Sequence, residues 1–495
     1  MSKPVDVLVI GGGPAGATAA GLLASWGRSV ALIHHESSKP SLAESLPAST
    51  RKLLRFLGQL EEVDTAGFHP NHGNISRWAG REARAESADA GYHVSRSVFD
   101  RLLRNHARAQ GASIVEGQVQ RVDVAGDGAH TTAATLECTT ARGVSRYRAS
   151  FVLDCSGRAG IIARRGLRRA DAGYRTLAIA AEWECPDWPS HEQTHTIVDS
   201  YENGWAWSVP LSATRRQCTV MVDAGLMTVR KASLDAIYCG ELRKARSIDA
   251  RLTGSRQINR PWACDASLYT CLRAADSAAL LVGDAASFIE PLSSAGVKKA
   301  LASAWRAAVV LNTALDKPQM LAVATDYHDR REREVYQECL RRSAEFFKTA
   351  ANVHEDEFWS VRASVVPGTA GAAGREGSAL HDARVRAAFD ILRDASSLEL
   401  TPAPHLRFEP FAVIEDREVV LRDAIVLPGT SEPVRYVGGV NLPELIRIAA
   451  GCRDVPSLIE SYHHRVAPVD PRDLLVGLSV LVACGVMRNE IPLES

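Results

Sequence analysis

At 495 residues the chain is long enough for about two or three domains, and its 46% hydrophobic and 23% charged content is that of an ordinary globular protein. Its 58 basic and 58 acidic residues cancel, which removes the electrostatic case for nucleic acid or an anionic membrane as partner. No apolar run reaches the length of a bilayer span, and the ten cysteines show no CxxC pair and no His/Cys spacing for a metal. The expectation is therefore a cytoplasmic protein with reduced thiols, no metal site and no signal peptide, since the first strand begins almost at once.

Residues 5–10 form a short run rich in β-branched side chains, the pattern of a buried parallel strand. Gly11-Gly12-Gly13-Pro14-Ala15-Gly16 follows, then an alanine-rich helix over 17–26 and a second apolar strand over 29–33. This is one βαβ unit with a GxGxxG turn. Gly11 permits the tight turn, Gly13 lets the backbone approach a pyrophosphate, and Gly16 lets the helix pack on the strand. The helix N-terminus offers free N–H groups to the phosphates. The acidic residue expected after the second strand is replaced by His34, with Glu36 two residues on; either can hold the adenosine ribose.

A helix is predicted over 49–58, and 68–78 reads as a loop leading into a strand. A helix over 101–110 and a strand over 113–115 come next, then antiparallel strands within 117–124 and 134–138. Residues 151–157 read as an apolar strand ending in a glycine turn. Most of 176–222 reads as strands, and the polar, β-branched stretch 193–198 suits an exposed sheet. From Ala278 the chain returns to the first domain with a strand at 279–282, a turn at Gly283-Asp284-Ala285-Ala286 and a helix over 296–311. A long charged helix over 320–350 follows, then Phe358-Trp359. The glycine-rich stretch 367–377 reads as a flexible loop. In the last hundred residues, strands at 411–414, 418–421 and 434–437 precede three helices. Asn441, Asp454 and Asp470 can cap them, and the third opens with Pro471 and ends near Gly485.

Four of these stretches occur in the order seen in flavoprotein monooxygenases: the GxGxxG turn, the segment around Arg96, Asp154-Cys155-Ser156-Gly157 and Gly283-Asp284-Ala285-Ala286. Over residues 5–365 the chain resembles the FAD-dependent hydroxylase superfamily. Within it, Gly204-Trp205-Ala206-Trp207-Ser208-Val209-Pro210 is similar to the WxWxIP signature of flavin-dependent halogenases, with Val209 for Ile, and Phe358-Trp359 is a second shared detail. The resemblance implies an α/β fold: an FAD-binding, hydroxylase-type Rossmann-like domain with an inserted antiparallel sheet and a C-terminal winged-helix-like module. The monooxygenase part would occupy 1–400, its FAD-binding domain split between about 1–170 and 275–365 around a substrate-side sheet at about 171–274, with the C-terminal module at 405–495.

The same resemblance implies FAD as cofactor. Gly11, Gly13, Ala15 and Gly16 would meet the pyrophosphate and His34 or Glu36 the adenosine. Glu44, Ser45 and Arg96 would lie near the ribityl and phosphate groups, with Gly283 and Asp284 at a ribityl hydroxyl. Pro291, Ser294, Ala295 and Gly296 would line the isoalloxazine edge, with helix N-terminal amides facing the N1–O2 region, where negative charge accumulates on reduction. Trp205 and Trp207 share a strand face by period two and are expected in the substrate pocket.

Halogenases also use a lysine to direct hypohalous acid to the substrate. Its expected neighbourhood, 68–78, holds none, and no lysine occurs between Lys52 and Lys231. Arg77 is no substitute, because a guanidinium stays protonated. Ser293-Ser294-Ala295-Gly296 likewise lacks the Glu-Ser-Thr-Gly pattern of the tryptophan halogenases. The resemblance thus narrows to an FAD-dependent monooxygenase that hydroxylates an electron-rich aromatic with O2. Relatives that keep this framework and modify protein are the peptidyl tryptophan dihydroxylases of tryptophylquinone cofactor biogenesis. The missing lysine favours these, and the Leu478, Leu481 and Gly485 pattern of the C-terminal unit resembles peptide-recognition modules of peptide-modifying enzymes, a look that some carrier-tethered halogenases share, so the expected substrate is tryptophan within a protein or peptide. His69 and His72, where the lysine is missing, are the candidate bases. Two other readings stand beside this one. One is a halogenase of a carrier-tethered or free aromatic with a displaced lysine (Lys298 or Lys299); the other is a flavoprotein scaffold whose C-terminal module docks partners. No second nucleotide-binding motif is visible, so a partner flavin reductase is expected rather than direct use of NAD(P)H.

Overall fold

The computed structural model describes residues 4–36, 40, 42–125, 133–170, 174–225, 233–276, 278–365, 383–428 and 433–489. The glycine-rich stretch 367–377 lies outside them. The chain divides into two compact units, Met1–Val366 and Pro367–Ser495.

The first unit is built on two sheets. In one, Val5–Ile10 lies at the centre, parallel to Val30–His34 on one side and to Gly143–Asp154 on the other. Ser113–Glu116 and Ala279–Leu281 extend it in parallel. Val7, Leu8, Val9, Leu32 and Leu153 are all buried, as the uninterrupted apolar runs require of strands covered on both faces. A meander of Gln118–Ala125, Ala133–Thr140 and Gly143–Asp154 is antiparallel. Because Ala279–Leu281 docks beside Gly143–Asp154, the chain ends of three strands meet at one edge: Ile10, Asp154 and Leu281.

The second sheet runs in the order 256–257, 176–184, 215–223, 204–210, 195–201, 69–78, 81–95, 43–46, with 262–265 also pairing on 176–184. It therefore takes three strands from the first segment of the chain as well as those between 171 and 274. One is His69–Trp78, where the expected strand begins at its first residue without a preceding loop: it pairs in parallel with 195–199 and antiparallel with 81–93. The following helix spans Arg96–Ala109, starting earlier than the apolar pattern suggested, because Arg96 and Asp100 form an i,i+4 ion pair across its first turn. Helices Gly296–Asp316 and Leu321–Ala351 follow as predicted. Among the described residues no helix is long and apolar enough to cross a membrane.

The second unit has a hairpin of Phe408–Glu415 with Glu418–Val426, then helices Leu442–Ala449, Val455–Arg465 and Pro471–Ala483. Each helix carries its predicted cap: Asn441, Asp454 and Asp470 accept from the backbone N–H of Glu444, Ser457 and Arg472. Leu442, Leu445, Leu458, Leu478 and Leu481 form its core.

Candidate active site

A cavity of about 350 Å³ opens where the central strands end. Gly11, Gly13 and Ala15 line it from the first turn, Glu44 and Arg96 from its side, and Asp284, Pro291, Ser294 and Gly296 from the far wall. Gly11 has φ +102°, and a Cβ there would fall 2.4 Å from the Cys155 carbonyl oxygen, so only glycine lets these two strand ends close together. Gly16 is pinned the same way: its Cβ would lie 1.9 Å from the Gly11 carbonyl oxygen. Helix Pro14–Ser25 starts at Gly13 with no side-chain cap, and helix Gly296–Asp316 starts at Ala295 with none. Both helices present uncapped N–H groups to one cavity, which makes it a site for anionic oxygen.

Fixed charges frame it. Arg96 is paired with Asp100 at 2.9 Å and with Glu44 at 3.4 Å. Burial raises the Glu44 carboxyl above its ordinary value while Arg96 pulls it down. Behind the opposite wall the buried Lys299 ammonium donates to the carbonyls of Gly283 and Ser287 at 3.0 and 2.6 Å and lies 3.7 Å from the Asp284 carboxylate. Asp154 sits below the floor, where its carboxylate accepts from the Ser156 N–H and hydroxyl and from the N–H groups of Ile162 and Ala163. That holds the Cys155-Ser156-Gly157 turn against the cavity.

Other predicted residues lie elsewhere. Gly283 (φ +63°) turns the chain toward Asp284 without lining the cavity. His34 lies beside Gly12 while its neighbour His35 reaches the wall. Glu36 is paired with Arg104, whose guanidinium also donates to the Gly12 carbonyl. Ser45 faces inward, accepting from Asn71 and Thr196. Sequence reasoning missed Arg104 and Lys299 as supports of the cavity, because on a helix a lone cation carries no local signal of what lies across from it.

The aromatic wall comes from the second sheet. Trp207 lines the cavity, and Trp205 stacks on it at 4.9 Å but is itself buried in the cluster with Phe347, Phe358 and Trp359. His69 and His72 line neither this cavity nor the larger one of about 1240 Å³ beside it, which shares only Arg158 with the first. The His69 ring donates to the Gln193 carbonyl, and burial lowers its pKa. His72 is held by its backbone N–H to Thr194. The buried polar side chain of that strand is Asn71, which donates to Ser45 and to the Leu46 carbonyl.

The residues present fit FAD. A Cβ added at Gly13 would stand in the gap facing Arg96, 3.5 Å from its guanidinium, which is the space a diphosphate needs between an uncapped helix end and a cation. When bound, the flavin supplies the redox chemistry with O2.

The tryptophan halogenase family model matches residues 56–370. The tryptophan 2-halogenase of Chondromyces crocatus is 29% identical over 67% of this chain and 65% of its own length, so the match spans just under two thirds of that relative. The crystal structure of CmlS, a flavin-dependent halogenase, superposes with a TM-score of 0.77 at 21% identity, over 99% of this chain and 96% of that one. The peptidyl tryptophan dihydroxylase QhpG, essential for tryptophylquinone cofactor biogenesis, gives 0.69 at 22% identity, over 98% of this chain and all of that one. These two likenesses establish the α/β fold.

Proposed function

The chain belongs to the tryptophan halogenase family and is an FAD-dependent oxidoreductase, and we propose that within that family it transfers oxygen instead of halogen, to a tryptophan held in a protein or peptide. The observation that carries this reading is the lack of a usable ammonium. Among the described residues no lysine lines the flavin cavity. The two nearest in sequence to the 291–296 turn are engaged: Lys299 by the Gly283 and Ser287 carbonyls, Lys298 by Ser49. The strand expected to supply the halogenase lysine offers Asn71, whose amide is bonded to Ser45 and Leu46.

In this reading the two helix ends and Arg96 bind the diphosphate, and Glu44 and Asp284 orient the ribityl chain. The Pro291–Ser293 turn and the Gly296 helix end stabilise negative charge on the ring system. Trp207 and Phe288 supply a dry aromatic wall beside the reacting position. His69 and His72 have no part in it, since neither reaches the cavity. A flavin-dependent halogenase and a peptidyl tryptophan dihydroxylase both share this fold over nearly the whole chain, second unit included; in this reading the substrate is macromolecular and the second unit is its docking module. Reduced flavin comes from a partner reductase.

Incubation with reduced FAD, O2 and bromide tests it, using tryptophan-containing peptides and free tryptophan as substrates. Oxygen mass on the peptide and none on the free amino acid is the expected result. A bromine isotope doublet overturns the reading and restores the halogenase of a carrier-tethered or free aromatic.

A further inference from the structure

Four tryptophans of the first unit, from three separate parts of the sequence, make one contact chain. Trp207 borders the flavin cavity. Its ring stacks on Trp205 at 4.9 Å, and Trp205 meets Trp78 edge-on at 6.1 Å. Trp78 in turn contacts Trp359 at 5.4 Å and Phe346 at 6.3 Å. Trp78 is partly exposed and Phe346 is 51% exposed, so the chain reaches the surface. Hydrophobic packing alone asks only for bulk at these positions. What indole adds is that it is among the most easily oxidised side chains, and rings in van der Waals contact exchange electrons readily.

We propose that Trp207, Trp205 and Trp78 form a relay that carries single oxidising equivalents from the flavin cavity to the protein surface. The oxidant is a hydroperoxyl-class radical, formed when reduced flavin would pass a single electron to O2 with no substrate present. It takes one electron from Trp207 and one proton from solvent and leaves as hydrogen peroxide; Trp205 re-reduces Trp207, and Trp78 re-reduces Trp205. Trp78, whose indole N–H donates to the Phe346 carbonyl at 3.0 Å at the partly exposed edge, then loses that proton to solvent as the bond opens and stands as a neutral radical. A thiol or ascorbate-class reductant in solution restores it with one electron and one proton. The relay protects the cavity wall from its own by-products. It rests on the flavin lying against Trp207, as in the proposed function.

The test uses holoenzyme with oxidised FAD, excited anaerobically so that the flavin itself draws the electron from Trp207. The tryptophan-radical absorption is expected to last about tenfold longer in the native protein than in W78F, equivalent to about 1.4 kcal/mol of trapping at the outer indole. Phenylalanine keeps the packing and removes the redox step. Equal lifetimes overturn the relay. W207F reports the flavin placement separately: flavin fluorescence is expected to rise, and no change overturns both the placement and the relay. Peptide mapping after turnover without aromatic substrate gives a second readout. Oxygen adducts are expected on Trp78 in the native protein and on Trp205 and Trp207 in W78F; an unchanged distribution overturns the proposal.

Discussion

Asp154→Asn tests how the floor of the flavin cavity is held. The carboxylate is fully buried and accepts four hydrogen bonds: from Ser156 N–H at 3.1 Å, Ser156 Oγ at 2.5 Å, Ile162 N–H at 2.7 Å and Ala163 N–H at 3.2 Å. Asparagine keeps the volume but exchanges one acceptor oxygen for a donor. With its oxygen toward Ser156, the amide nitrogen faces the N–H groups of Ile162 and Ala163 and orphans both. Turned the other way it orphans the Ser156 N–H, while the hydroxyl can rotate to accept. Each buried donor left unsatisfied costs about 1–3 kcal/mol, so the loss is about 1–3 kcal/mol for one orphan and about 2–6 kcal/mol for two. Urea unfolding of the first unit measures the stability, and hydrogen exchange at Ile162 and Ala163 locates the change. FAD affinity falls with it, because Cys155, Ser156 and Gly157 line the cavity. An unchanged urea midpoint with unchanged exchange at these amides would refute the carboxylate as the clamp.

Arg96→Met removes the cation from the cavity and leaves Glu44 and Asp100 facing each other. Loss of charge-assisted bonds worth about 1.5–3 kcal/mol predicts roughly 10- to 150-fold weaker FAD binding by fluorescence titration, and a change within about twofold would count against this placement of the phosphates. Glu36→Ala is expected to shift FAD affinity by less than about fivefold, since its carboxylate is 56% exposed and spent on Arg104; a larger loss would assign the ribose to Glu36. Glu290 gives a pH prediction. Its carboxyl is buried with one oxygen lacking any partner, and desolvation raises its pKa to about 7. The folded protein then binds a proton that the unfolded chain releases between the ordinary carboxyl value and about 7. This contribution is therefore present at acid pH and is lost as pH rises through that window. E290Q should remove the slope and be more stable at pH 8 by up to about 3 kcal/mol, read from urea midpoints at pH 5 and 8; identical slopes would contradict it.

Much of this was legible in the sequence where the signal is local. The first βαβ unit, the three capped helices of the second unit and the aromatic pair Trp205 and Trp207 each rest on spacing within a few residues. So did most of the cavity wall, because glycine turns and a strand–helix junction announce themselves. What was not legible depends on partners far along the chain. Residues 68–78 read as a loop leading into a strand, and the strand starts earlier than that, at His69, because its partners come from 81–93 and 195–199, far along the chain from this polar stretch. His69 and His72 looked like bases because of where a lysine was missing, but the His69 ring is bonded to the Gln193 carbonyl and neither residue lines the cavity. Ser45, beside a cavity residue in sequence, points to the other face of its strand, as period two requires.

The most direct test of the account is oxygen tracing in the presence of bromide. Native enzyme, reduced FAD and a tryptophan-containing protein substrate are exposed to isotopically heavy O2, and the modified peptide is sequenced by mass spectrometry. Heavy oxygen on the tryptophan ring, with no brominated peptide, is what an oxygen-transferring member of this family produces. Bromine on the ring, or oxygen drawn from solvent water alone, would contradict it.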